Sequence, residues 1–198
     1  MVERQLRRRG IEDERVLSAM AEVPRERFVP KALQDRAYTD GALAIGEGQT
    51  ISQPWIVARM TALLELEGPE RVLEVGTGSG YAAAVLSRCC SHVVTIERIP
   101  GLAERAGETI AGLGYRNVEV RTGDGTAGVA DRAPFDAIVV TAAAGKGPPQ
   151  AFSDQIVPGG ALVCPVERDG DERLVRIRNG KVEQIAAVRF VPLVEGEA

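Results

Sequence analysis

Gly76, Gly78 and Gly80 recur at every second position where the apolar run "RVLEV" gives way to "YAAAVLS". Glycine tolerates bends that other residues resist and lets a ligand approach the backbone closely. Glu97 closes the next apolar run, "HVVTIE", at 97 − 80 = 17 residues past Gly80. An acid at the end of the second strand can accept both hydroxyls of a ribose. A dinucleotide loop would carry its third glycine at position 81, and that residue is Tyr81. The spacing here is G-x-G-x-G, with Glu74 two residues before it. It leaves no diphosphate to cradle and suits a nucleoside with a short charged tail, the shape of S-adenosylmethionine. Taken alone, the glycine triplet also fits a bare strand-to-helix turn.

Two further segments point to the same place. "GDGT", residues 123–126, follows the third strand. Asp124 there could accept from an adenine amino group with the Gly125 amide beside it, or it could be a solvated turn residue. Thr141 closes the apolar strand "FDAIVVTA". Ligands of open α/β sheets bind beyond the carboxyl ends of the strands, where Glu97, Asp124 and Thr141 all fall. A separate polar group, Gln49, Thr50 and Ser52 in "GQTISQP", stands just before Pro54 and an apolar helix. Ser52 could cap that helix or present its hydroxyl to an anion at the helix N-terminus.

The elements that must position these residues alternate. "RVLSAMAEVP" has helical spacing and stops at Pro24. Residues 27–48 read as a loop-rich cover, and Pro54 opens a helix. "RVLEV", "HVVTIE", "VEVRTG", "FDAIVVTA" and "ALVCPV" are strands. "YAAAVLSRCC", "PGLAERAGETIAGLG" and a short piece within "PPQAFSDQIVPGG" are helices. The order predicts an α/β fold with a doubly wound, mainly parallel sheet. A hairpin is expected at Asn179-Gly180. The whole of residues 1–198 is expected to form one domain, with residues 1–53 as a helical and loop cover that contributes to the active site.

Composition narrows the chemistry. The net charge of −4 gives no basic excess that would point to nucleic acid. No apolar run approaches the roughly 20 residues that span a bilayer, and the charged start lacks the apolar core of a secretory signal. Three cysteines, Cys89, Cys90 and Cys164, make no CxxC pair and suit a reducing, cytoplasmic setting. One histidine, His92, leaves little for a triad, and no metal-ligand spacing is present. A monomer without metal, nucleic-acid or membrane partners is expected.

Over nearly its whole length the chain resembles the protein-L-isoaspartate O-methyltransferases. The resemblance is carried by "VPRERFVP", "AYTDGALAIGEGQTISQPWIVARM", "VLEVGTGSGYAAAVLS", "GDGT", "PFDAIVVTAAA", "VPGGALVCPV" and "VRFVPL". The glycine loop is common to many methyltransferases, whereas "GQTISQP" and "RFVPL" are specific. The resemblance implies a class I, Rossmann-like methyltransferase fold. It also implies methyl transfer from S-adenosylmethionine to the α-carboxylate of L-isoaspartyl residues in damaged proteins and peptides. Loss of the ester through a succinimide would then return part of the chain to aspartate.

By the same resemblance Ser52 matches the active-site serine. Gly76, Gly78, Glu97 and Asp124 match cofactor contacts, and the segments around Ile45 and Val191 match the substrate cleft. The expected cofactor set is Glu74, Gly76, Thr77, Gly78, Gly80, Glu97, Arg98, Asp124, Gly125 and Thr141. The expected substrate set is Ile45, Gln49, Thr50 and Val191. The sequence departs from the family at Ala44, Glu47, Trp55 and "GKGPPQAFSDQ". A methyltransferase for a dedicated peptide, a nicotinamide oxidoreductase and a non-catalytic cofactor binder are the alternatives.

Overall fold

The computed structural model describes residues 1–196. Helix α1, Glu14–Glu22, starts where the Asp13 carboxylate accepts the N–H groups of Arg15 and Val16 at 2.9 and 3.1 Å. It buries Val16, Leu17, Ala19 and Met20 on one face. Two short 3-10 turns follow, Arg25–Phe28 and Lys31–Arg36. The stretch expected to be loop then contains a small antiparallel hairpin, β1 Leu43–Gly46 and β2 Gln49–Ile51. With strands of four and three residues, its alternation is too short to be read from sequence. Helix α2, Pro54–Ala62, opens on its proline as predicted.

The main sheet has seven strands in the order β5-β4-β3-β6-β7-β8-β9. These are β3 Arg71–Val75, β4 His92–Glu97, β5 Val118–Thr122, β6 Phe135–Val140, β7 Ile156–Arg168, β8 Asp171–Arg178 and β9 Lys181–Ala187. The first five are parallel, and β8 and β9 add antiparallel to the β7 side. The chain winds outward from β3 to β5 and then returns to lay β6 beside β3. That reversal opens a crevice beyond the carboxyl ends of β3 and β6.

Helices α3 Tyr81–Leu86, α4 Pro100–Gly112 and α5 Gln150–Gln155 complete the layers. Successive residues of β3 face opposite cores. Leu73 and Val75 pack with Val94, Ile96, Ile138, Val140 and Phe152. Val72 packs with Val93, Ala137 and Val139 against the residues of α1, α2 and α3. Burial on both faces explains why these strands read as nearly unbroken apolar runs. Each such Val or Leu contributes about 1.5–3 kcal/mol by leaving water.

Three boundaries differ from the reading of sequence. Helix α3 ends at Leu86, and "SRCC" continues as turns. Strand β7 begins at Ile156 and so absorbs "IVPGG", because β6 pairs with it from Phe135 onward. A hairpin at Asp169-Gly170 precedes the expected one at Asn179-Gly180. Its charged sequence "ERDGDE" carries no strand signal, and pairing with β7 decides the conformation.

After β9 the chain crosses back over the carboxyl edge of the sheet. Ala143 N–H donates to the Val191 carbonyl and Leu193 N–H donates to the Ala143 carbonyl, each at 2.8 Å. This strap of residues 188–196 roofs the crevice.

Candidate active site

Glu74 and Glu97 set the floor of the crevice. Glu74 lies opposite Thr95 in the β3–β4 register, so the Thr95 hydroxyl donates to Glu74 Oε2 at 2.6 Å. Thr95 Oγ1 also lies 2.7 Å from the Thr77 hydroxyl. The other carboxylate oxygen, Glu74 Oε1, is buried without a partner. Burial pushes the Glu74 carboxyl up to about 8, and the nearby Glu97 charge adds to the rise against the Thr95 hydrogen bond. Glu97 stands at the last position of β4. Its two oxygens accept Gly78 N–H at 2.9 Å and Ile99 N–H at 3.1 Å. Each oxygen keeps a lone pair for a further donor, and Glu97 is held rigidly along the glycine loop.

The loop itself is fixed from behind. Gly76 takes φ +98°, and a side chain there would strike Thr141 Oγ1, 2.3 Å from the place of a Cβ. The Thr141 hydroxyl bonds to the Gly76 carbonyl at 2.6 Å and the Val75 carbonyl at 3.0 Å. Thus Thr141 braces the turn that Gly76 makes.

On the opposite wall, Gln49, Thr50 and Ser52 come from β2 and the residue after it. Together with Glu74, Gly76, Thr77, Gly78, Glu97, Arg98, Gly125, Thr141 and Val191 they line one cleft of about 160 Å³. The strap adds Pro192, Leu193 and Val194. Helix α2 is preceded by Gln53 with no side-chain cap. Among the described residues the Ser52 hydroxyl has no hydrogen-bond partner, so the capping role weighed from sequence is not used. Its carbonyl is held instead, by a terminal nitrogen of Arg25 at 2.7 Å.

Three expected residues stand outside the lining. Gly80 takes φ +86° at the start of α3, where a Cβ would meet Ile110 Cδ1 at 2.9 Å, so its smallness serves packing. Asp124 caps the turn Gly125–Ala127, accepting the N–H and hydroxyl of Thr126 at 2.8 and 2.7 Å. Its second oxygen takes Gly196 N–H from the strap. Ile45 packs behind the loop, with Cδ1 3.5 Å from where a Gly78 Cβ would be. His92 begins β4, at the far end of the strand from Glu97.

Sequence reasoning missed Tyr81, Met60 and the Pro192–Val194 roof. "RFVPL" marked the segment but not its path across the sheet. Arg25 was also missed: flanked by Glu26 and Arg27, it reads as one more solvated charge.

The whole chain, residues 1–198, matches the family model described as protein-L-isoaspartate(D-aspartate) O-methyltransferase. The chain belongs to that family. A protein-L-isoaspartate O-methyltransferase 1 of Rhodopseudomonas palustris is 53% identical over 203 residues, covering 100% of this chain and 82% of the relative. The Yersinia enterocolitica protein-L-isoaspartate O-methyltransferase is 54% identical over 196 residues, covering 98% and 94%. Among solved structures, one protein-L-isoaspartate O-methyltransferase superposes with a TM-score of 0.87 at 29% identity, across 97% of this chain and 65% of that one. A Plasmodium falciparum relative, solved with S-adenosyl-L-homocysteine, gives 0.79 at 26% identity, across 95% and 94%. The fold is that of the class I methyltransferases. The doubly wound, mainly parallel Rossmann-like sheet is as the sequence predicts. With the family shown, the oxidoreductase alternative falls, in keeping with Tyr81 where a third dinucleotide glycine would stand.

Proposed function

We propose that the chain moves a methyl group from S-adenosylmethionine to the free α-carboxylate of L-isoaspartyl residues, with Ser52 aiming the acceptor oxygen. The observation that carries this is the position of an uncommitted Ser52 hydroxyl in the same cleft as the Glu97–Gly78 loop.

The residues fit the methyl donor. Glu97 can take the ribose hydroxyls, and the orphaned Glu74 oxygen suits the cationic end of the tail. Gly125, Thr77 and Arg98 stand along the same floor. When bound, S-adenosylmethionine would supply a methyl group activated on a sulfonium, whose neutral thioether leaves without help from a base. An α-carboxyl with a pKa of roughly 3.3–3.7 is already ionised at neutral pH. The protein therefore needs to desolvate, aim and hold one carboxylate oxygen. Ser52 donates to it, the apolar strap residues Pro192–Val194 exclude water, and Gln49, Thr50 and Val191 shape the acceptor side. No histidine is required, which suits a chain whose only one is His92.

The three cysteines are buried and free, which supports a reducing, cytoplasmic setting. Among the described residues no helix is long and apolar enough to cross a membrane. The proposal retains a single domain, acting as a monomer.

The test pairs an isoaspartyl peptide with its aspartyl twin and labelled S-adenosylmethionine. The isoaspartyl peptide gains a base-labile methyl ester and the twin does not. Equal labelling of both, or labelling of neither, sinks the reading.

A further inference from the structure

Arg25 is completely buried and lies outside the cleft lining. Its Nε donates to the Ala37 carbonyl at 2.7 Å, and Nη2 donates to the Ser52 carbonyl at 2.7 Å. The guanidinium lies 4.7 Å over the ring of Tyr81, a cleft residue that begins α3 directly after the glycine loop. The remaining nitrogen, Nη1, is buried without a partner. Among the described residues no carboxylate lies within 4.0 Å of this cation, whereas Arg7, Arg9, Arg88, Arg121, Arg132 and others each pair with one at the surface.

A buried charge without a counter-charge is costly. Two carbonyls could be satisfied by a neutral amide at lower cost, so hydrogen bonding alone does not explain an arginine here. Burial works against the charged form, but a guanidinium stays ionised in proteins. Its charge is thus fixed in a dry place, bonded to the residue that faces the acceptor. Covalent geometry keeps the Ser52 hydroxyl within about 7 Å of Nη2. Arg98, the cation of the lining, is directed elsewhere: its Nε donates to the Gly196 carbonyl at 3.2 Å.

We propose that Arg25 is a positioning residue for the acceptor: it fixes Ser52 through its carbonyl, and its unpaired charge gives the pocket a positive potential that favours an ionised carboxylate. This rests on the methyltransferase reading above. The Tyr81 stack also ties the acceptor wall to the helix that carries the glycine loop.

The test compares wild type, Arg25→Gln and Arg25→Lys. For each, the KM of an isoaspartyl peptide is set against the inhibition constant of the same peptide with that α-carboxylate amidated. S-adenosylhomocysteine affinity is measured alongside. Wild type prefers the carboxylate. Arg25→Gln should shrink that preference by about 10- to 50-fold, the size expected for one charge at this range. Its S-adenosylhomocysteine affinity should stay within about twofold, because the charge acts on the acceptor side. Arg25→Lys should keep the preference within about threefold while turnover falls, because an ammonium cannot fork to both carbonyls.

A purely structural clamp would weaken both peptides alike and leave their ratio unchanged, which overturns the proposal. So does an Arg25→Lys protein that loses the preference as fully as Arg25→Gln. If Arg25→Gln does not fold, the neutral Arg25→Met takes its place beside Arg25→Lys: a preference lost in Arg25→Met and kept in Arg25→Lys supports the proposal, and a preference kept in both overturns it. A wild type that does not methylate the isoaspartyl peptide overturns the methyltransferase reading itself.

Discussion

Asp124 accepts the Gly196 N–H at 2.9 Å, so a residue of the glycine-bracketed turn holds the far end of the strap. The same carboxylate caps its own turn through Thr126. Burial works to raise its pKa, but the hydrogen bonds from Gly196 and Thr126 outweigh it and hold the group below its ordinary 3.8.

A depressed carboxylate contributes stability that is present above its unfolded pKa and lost as pH falls through the folded one. The clasp is therefore complete at neutral pH and is released only below about pH 4. Asp124→Ala should lower stability by about 1 kcal/mol through the lost cap. It should also weaken S-adenosylhomocysteine binding by roughly tenfold, the scale of one hydrogen bond to a charged group. Calorimetry showing unchanged affinity in a folded Asp124→Ala protein would show that the clasp does not bear on the ligand.

The Ser52 hydroxyl bonds to nothing in the protein among the described residues, so its loss should cost no stability. Ser52→Ala is expected to melt within a degree or two of wild type. Its turnover should fall by about 10- to 100-fold, the cost of one hydrogen bond to a charged acceptor. Cofactor affinity should be unchanged. A lowered melting temperature with full turnover is the contrary result.

Glu74 makes an opposite pH prediction to Asp124. Its folded pKa, about 8, lies above its ordinary 4.5. The folded protein then binds a proton between those values that the unfolded chain does not, so this group makes stability fall as pH rises from 4.5 to 8. Glu74→Gln should remove that slope in denaturant titrations at pH 5 and 8. Cationic ligands favour the ionised carboxylate. S-adenosylmethionine binding at pH 6–7 should therefore release up to about one proton, read by calorimetry in two buffers of different ionisation heat. No proton release would place the cation away from Glu74.

Gly76 and Thr141 should be energetically coupled. Gly76→Ala forces a Cβ onto Thr141 Oγ1 and keeps a φ of +98°. It should destabilise by about 2–4 kcal/mol, the sum of backbone strain and overpacking. In a Thr141→Ala background the same change should cost at least ~1 kcal/mol less, because the clash is gone. Additive costs in denaturant unfolding would show that the brace does not act through this contact.

Much of the crevice floor was legible because its signals are local. Three spaced glycines, an acid at a strand end and unbroken apolar runs follow from backbone conformation and from burial on both faces. Gln49, Thr50 and Ser52 were visible only as a polar group before a proline. That they line the crevice depends on β1 and β2, strands too short to show a period. Arg25 could not be singled out, since its charge is ordinary and only tertiary burial makes it unusual. Asp124 shows the reverse difficulty: its turn was read correctly, but its second partner is 72 residues away.

Glu97, Glu74, Gly76 and Thr141 belong to strand ends of the sheet, whereas Ser52, Gln49 and Thr50 belong to the segment that precedes it. The two walls of the cleft are therefore built by successive pieces of polypeptide that share one hydrophobic core and are bridged by Arg25 over Tyr81. The wall built by residues 43–52 can change while the strand ends keep their places, whereas the strap is tied to the crevice floor through Asp124 and Arg98. Modularity of this kind makes one sheet a reusable methyl-donor platform, with its chemistry constant and its clientele replaceable.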